Sequence, residues 1–244
     1  MVSAKRRATT LRDATREAAK EVLEANLELV RRGLVLYTFE NVNGISRSDG
    51  LVAIKPSCVP YESMKAGDIV ITDLTGHIVE GSLRPSSDLA THLDLYKAFP
   101  SIGGVSHTHS ELATSWAQGR KPIPCFGTTH ADYFHGPVPV TDKMSFEAIA
   151  GDYEKNTGTA IIQAFDDLDY EKVPGVLVAN HGPFTWGRDA NAAAYNAVIL
   201  EHVARVAYRT IAISHDAPEI SGDLHDKHFF RKHGAKAYYG QEKR

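Results

Sequence analysis

The chain has 244 residues, 43% of them hydrophobic and 23% charged, and its formal net charge of -3 is spread along the sequence without a long basic run. That length supports one substantial core, and the composition is that of an ordinary globular protein; a nucleic-acid surface is excluded as its main business. Two cysteines, Cys58 and Cys125, stand outside any metal-type pair, which argues against a disulfide framework and for a reducing, cytoplasmic compartment.

Residues 1–10 are expected to form a disordered N-terminal extension, with one folded domain over 11–244. Lys5, Arg6 and Arg7 are followed by no apolar run, so neither a secretory signal nor a membrane span is expected, and an organelle-targeting leader is the lesser reading. From Leu11 to Arg32, apolar Leu11, Ala14, Ala18, Val22, Ala25 and Leu29 recur in steps of three and four, predicting a helix. Thr10 with Asp13 resembles a capping box, and Arg31-Arg32-Gly33 a stop. Short β-rich runs follow at Leu34–Phe39, Leu51–Ile54, Asp68–Thr72 and His77–Glu80, punctuated by Asn43-Gly44, Asp49-Gly50, Gly67-Asp68 and Gly76, and they predict an antiparallel meander. Ser87-Asp88 opens an amphipathic stretch, Leu89–Phe99, that stops before Pro100, and Gly104–His107 reads as a strand.

Residues 121–140 are dense in Pro, Gly, Thr and His and predict a long functional loop. Val176–Ala179 is an apolar strand, Gly182-Pro183 forces a turn, Asp189–Ser214 is a second long helix, and 223–244 is a polar, His-rich tail. No internal repeat, interdomain linker or strict βαβ rhythm is visible, so the expected fold class is a single-domain mixed α/β structure with a largely antiparallel central sheet flanked by helices. Neither a Gly-x-Gly-x-x-Gly nor a Walker-type loop is present to support nucleotide chemistry.

His107 and His109 stand one residue apart in Val105-Ser106-His107-Thr108-His109-Ser110, and in extended chain such residues share a face. A third imidazole, His181 in Asn180-His181-Gly182-Pro183, would complete three-nitrogen coordination with an open position, the arrangement of a catalytic metal. One histidine is most often a packed or surface residue; three at strand ends carry the metal reading. Asn41, Lys55-Pro56-Ser57 and Ser86-Ser87 offer donors to a dianion, aided by a helix dipole. Taken alone, the serines would be a plain N-cap and Lys55 a solvated charge.

The segments Ile54-Lys55-Pro56-Ser57, Pro85-Ser86-Ser87-Asp88, Phe99 to Val105, His107-Thr108-His109-Ser110, Gly127-Thr128-Thr129-His130-Ala131-Asp132-Tyr133, Asn180 to Phe184, Asp226-Lys227-His228 and Tyr238-Tyr239-Gly240-Gln241 closely resemble the class II aldolase and epimerase family, and within it the L-ribulose-5-phosphate 4-epimerases. The likeness runs from about Val22 to Gln241. It implies a class II aldolase-like three-layer fold and an enzyme that uses Zn2+, or another divalent metal such as Mn2+, to interconvert L-ribulose 5-phosphate and D-xylulose 5-phosphate in arabinose catabolism. It also implies a homotetramer with active sites at subunit interfaces, each completed by a neighbour's C-terminal tail. The C4 hydrogen is not acidic, so inversion requires cleavage of the C3–C4 bond, rotation of the aldehyde fragment and re-formation of the bond, with a cation drawing electrons onto the C2 oxygen.

By position, the resemblance assigns His107, His109, His181 and Asp88 to the metal, Asn41, Ser57, Ser86 and Ser87 to the phosphate with Lys55 nearby, and Asp132 and Tyr239 to acid/base work. Thr128, Glu154 and His228 match positions near the site without a defined role. Two departures stand out: the family commonly has glycine where this chain has Glu40 and Cys58, beside the phosphate groups, where a side chain alters backbone approach and charge. Rival readings are a class II sugar-phosphate aldolase, which has glutamate in place of Asp88, and a non-catalytic assembly module like the adducin head.

Overall fold

Helix α1 (Val2–Arg31) opens a computed structural model that describes residues 2–240, with side chains described from residue 15 onward. The expected periodicity places Val22, Ala25 and Leu29 in the core, with Lys20, Glu24 and Arg31 in solvent. The helical backbone begins at Val2. The capping box expected at Thr10 and Asp13 falls on side chains outside the described residues. Gly33, at φ 69, ends the helix as expected, with Leu34 N–H donating back to Leu29 O.

Seven strands form one sheet in the order β4-β3-β2-β1-β5-β7-β6, every neighbouring pair antiparallel. They are β1 (Asn41–Ser46), β2 (Leu51–Ile54), β3 (Val70–Asp73), β4 (Ile78–Glu80), β5 (Gly104–His107), β6 (Gly175–Leu177) and β7 (Pro183–Gly187). The first four form the expected meander, but its first strand is not where the apolar run lies. Leu34–Phe39 is irregular, with Leu36, Tyr37 and Phe39 exposed and Tyr37 at φ 58. The strand is instead the polar segment after it. Asn43-Gly44 reads locally as a turn, yet Gly44 sits mid-strand because a Cβ there would approach Val22 Cγ2 to 3.3 Å, so the missing side chain lets α1 pack against the sheet.

Helices cover both faces. They are α2 (Leu89–Ala98), α3 (Glu111–Gly119), α4 (Thr128–Ala131), α5 (Phe146–Ala150), α6 (Tyr153–Gln163), α7 (Ala190–Ile213) and α8 (Gly222–His233). Strand alternation sorts the core: Val52 and Ile54 pack with Leu89, Leu93 and Phe184 on one face, while Ala53, Val42 and Ile71 pack with Val22, Leu29 and Ala193 on the other. The fold class expected from the sequence therefore holds. Strand β7 and helices α3, α5 and α6 are additions; α4 lies inside the expected long loop, and the expected polar tail contains α8.

Buried polar side chains fix how these layers meet. Asn26 donates to Val22 O and Val42 O and accepts from Val42 N–H, stitching α1 to β1. Glu201 on α7, also buried, accepts from the Leu112 N–H at 3.0 and 3.1 Å and from the Ala113 N–H at 2.9 Å, so its carboxylate caps the first turn of α3. Glu201→Ala is expected to cost about 2–3 kcal/mol, because two helix N–H groups lose a charged acceptor inside the protein. Urea denaturation of the two proteins measures this, and an unchanged midpoint would remove the cap from the account.

Candidate active site

Strand pairing brings the three imidazoles together. β5 ends at His107, opposite Phe184 of β7, and the His107 ring stacks on Phe184 with centroids 4.1 Å apart. The β6–β7 connection turns sharply: Asn180 takes φ 63, and a Cβ on Gly182 would lie 2.7 Å from Thr108 O, so only glycine lets this turn close against the segment that carries His109. One ring nitrogen from each of His107, His109 and His181 lies within 4.8 Å of the other two, with His107 Nε2 and His109 Nε2 3.1 Å apart.

Two of these nitrogens bound at about 2.0–2.1 Å to one cation would be separated by roughly 3 Å, so the spacing fits a metal. The donor chemistry fits as well. His107 Nδ1 lies 3.0 Å from Pro183 O, and a proton donated there leaves Nε2 with its lone pair facing the other two rings. Burial, then the neighbouring His181 and His109, hold His107 well below its ordinary pKa; burial also lowers His109 and His181. All three rings are thus neutral at neutral pH and could serve as ligands. Tyr153 adds a hydroxyl 3.3 Å from His181 Nδ1, a neighbour that no sequence pattern announced.

Asp88 stands outside this three-nitrogen group. Its Oδ2 accepts from Asn41 Nδ2 at 2.7 Å and from Ser86 Oγ at 3.4 Å, and its charge acts on His109 and His181 through space. Asn41 also donates to Ser86 Oγ at 3.3 Å, while its Oδ1 lies 2.9 Å from His92 Nε2. His92 is wholly buried, and burial pushes its pKa down to about 4, so the neutral ring donates Nε2–H and fixes which way the Asn41 amide points. Sequence reading missed His92, although its place one helical turn after Asp88 on α2 was a usable signal. A bridge between Pro56 and Pro85, with Ser57 N–H donating to Arg84 O and Ser86 N–H to Lys55 O, sets Ser57 and Cys58 beside Ser86 and Ser87 at the start of α2.

Lys55 is committed elsewhere. Its ammonium is buried, donates to Thr38 O and Pro56 O at 3.2 and 3.3 Å, lies over the Tyr61 ring, and is lowered in pKa by burial. Glu40 is buried next to it. Its Oε2 accepts from the Leu36 N–H, its Oε1 has no protein partner, and burial raises its pKa against the pull of nearby N–H groups and Lys55. Cys58 occupies the left-handed region at φ 58, the conformation for which a glycine is suited. Cys58→Gly is therefore expected to stabilise the chain by about 1 kcal/mol, read as a raised melting temperature. An unchanged or lowered value would show that the turn tolerates its side chain.

Asp132 and Tyr239 lie together, but in a separate cluster. Asp132 follows α4 and is gripped by α8: Arg231 Nη2 donates at 2.9 Å, His228 Nδ1 lies at 3.0 Å and Lys232 Nζ at 3.3 Å. Burial raises the Asp132 pKa, but the hydrogen bonds from Arg231, His228 and Lys232 outweigh it and leave the carboxyl below its ordinary value. Tyr239 is exposed, with Arg231 and Lys232 over its ring at 4.8 and 4.6 Å. Among the described residues, no recorded hydrogen bond, ion pair or ring contact joins this group to the three histidines. Thr128 opens α4, and the Glu154 carbonyl accepts from Thr91 Oγ1 at 2.5 Å.

The family model of the class II aldolase and adducin N-terminal domain matches residues 20–208, which include all three histidines. Similar solved structures include an L-fuculose 1-phosphate aldolase, 24% identical with a TM-score of 0.74, covering 87% of this chain and 94% of the other. YgbL of Klebsiella pneumoniae, whose description leaves aldolase, epimerase and decarboxylase open, is 21% identical with a TM-score of 0.69, covering 87% and 98%. The L-fuculose 1-phosphate aldolase of Glaciozyma antarctica PI12 is 15% identical with a TM-score of 0.71, covering 88% and 81%.

Proposed function

The chain belongs to the class II aldolase and adducin N-terminal domain family, and from that membership we propose that it is a zinc-dependent L-ribulose-5-phosphate 4-epimerase. The observation that carries this reading is the pairing of three neutral imidazoles with the Asn41, Ser86 and Asp88 network beside them. His107, His109 and His181 would hold the metal, with Asp88 acting on it from one side. Bound Zn2+, or Mn2+ in its place, supplies Lewis-acid polarisation of the substrate carbonyl.

The rest falls to the chain's own groups. Asn41, Ser57, Ser86 and Ser87, with the N-terminal end of α2, hold the phosphate while the aldehyde fragment turns. His92 keeps the Asn41 amide oriented. Asp132, held ionised, serves as the base at the C4 hydroxyl, and the Tyr239 hydroxyl returns the proton from the opposite face. Since Asp132 and Tyr239 sit apart from the histidines of their own chain, they would serve a neighbour's site in a cytoplasmic homotetramer. Exposed Leu36, Tyr37 and Phe39, just before Asn41, support a covering subunit there. Glu40 and Cys58 would adjust phosphate affinity.

The second reading is a sugar-phosphate aldolase that releases both fragments, which the likeness to fuculose-phosphate aldolases favours. An adducin-like assembly module would not need three convergent imidazoles. Zinc-loaded protein incubated with L-ribulose 5-phosphate is expected to yield D-xylulose 5-phosphate. Accumulation of free glycolaldehyde phosphate without the epimer would establish the aldolase reading instead, and a wider panel of pentulose and hexulose phosphates would show the effect of Glu40 and Cys58.

A further inference from the structure

We propose that His135, His225 and Asp226 form a second divalent-metal site, one that fastens helix α8 to the loop after α4. One coordinating atom from each of the three residues lies within 4.8 Å of the others. His135 Nε2 is 2.8 Å from Asp226 Oδ1, His225 Nδ1 is 3.8 Å from the same oxygen, and the two rings are 4.8 Å apart by their centroids. The first distance is that of an ion pair. The second is too long for a hydrogen bond, so the buried Nδ1 of His225 faces the pair without closing on it.

Two backbone groups hold the His225 ring with Nδ1 toward Asp226. The ring Nε2 accepts from the Gly136 N–H at 3.1 Å and lies 3.1 Å from Phe134 O. A cation at Nδ1 would select the tautomer that carries its proton on Nε2, donated to the Phe134 carbonyl in place of the Gly136 hydrogen bond, as backbone carbonyls do for metal-bound histidines. Two imidazoles and one carboxylate suit first-row divalent ions such as Zn2+, Co2+ or Ni2+, with water completing the coordination. Exposed Asp226 gives an entry path, and half-buried His135 and buried His225 supply the anchored side.

The placement gives the site a purpose. His225 and Asp226 lie in the first turns of α8, and His228, Arg231 and Lys232 follow on the same helix to hold Asp132. A cation shared with His135 would fix the register of α8 against the residues just after Asp132. The site shares no residue with the three histidines, and it does not depend on the reaction proposed above.

The test is a Co2+ titration of tag-free, chelator-stripped full-length protein, with bound metal counted by elemental analysis and followed by visible absorption. The wild type is expected to take up about two equivalents per chain. Asp226→Asn and His135→Gln, at exposed and half-buried positions that keep the packing around His225, should weaken one equivalent at least tenfold and leave the other. The double variant His107→Ala, His109→Ala should lose the complementary equivalent and keep the one under test. A single equivalent in the wild type that depends on His107, or two tight equivalents retained in the Asp226→Asn, His135→Gln double variant, would overturn the proposal.

Discussion

Replacing His107 by alanine is expected to release the metal and lower kcat/KM by about three orders of magnitude. The size follows from what the residue does. A Lewis acid contributes several kcal/mol to a transition state that gathers charge on oxygen, and each ~1.4 kcal/mol is tenfold in rate. His107 is also the best anchored of the three: its Nδ1 faces Pro183 O, its ring stacks on Phe184, and its Nε2 is 3.1 Å from His109 Nε2. Removing so buried a ring disturbs packing too, so His109→Ala, at a more exposed position, separates the effects; it should lose metal and turnover while melting near the wild type. Asp88→Asn should do less to metal content, because the carboxylate is already engaged by Asn41 and Ser86 and stands outside the three-nitrogen group. Elemental analysis with steady-state kinetics checks all three, and full activity in metal-free His107→Ala would dismiss the metal.

The histidines were legible because chemistry and strand geometry coincide at them: i, i+2 spacing at a strand end needs no tertiary knowledge to suggest a shared ligand. The rest of the region was not. Asn41–Ser46 reads as polar with an Asn-Gly turn, and becomes a central strand only because β2 and β5 flank it and α1 lies on Gly44. Leu34–Phe39 has a strand's apolar content, but its large side chains stay exposed, so pattern without a partner misled. Helix α8 is polar and His-rich, which hides it from hydrophobic periodicity; its buried contacts are few, His225 and Phe229. Glu201 and His92 act through backbone N–H groups and an amide far away in sequence, and no local pattern encodes such partners.

Asp132→Asn is expected to reduce kcat by about three orders of magnitude while metal content stays at the wild-type level, the range of a lost general base. Two consequences follow from the placement of Asp132. The first is thermodynamic. The folded Asp132 carboxyl lies below its ordinary value of 3.8, so its contribution to stability is present above that pH and is lost as pH falls through the folded value. The gap between wild type and Asp132→Asn should be about 2 kcal/mol at pH 7 and close in acid, since hydrogen bonds to a charged group set its size.

The second consequence is positional. Asp132, Tyr239 and the α8 cations have no recorded contact with the histidines of their own chain among the described residues, so a complete site would draw its two halves from different subunits. His109→Ala spoils one half and Asp132→Asn the other. Neither variant alone should turn over substrate, yet oligomers reassembled from an equal mixture should recover roughly a quarter of wild-type activity, because a site joins two intact halves in about one combination of four. A site built within one chain predicts no recovery on mixing.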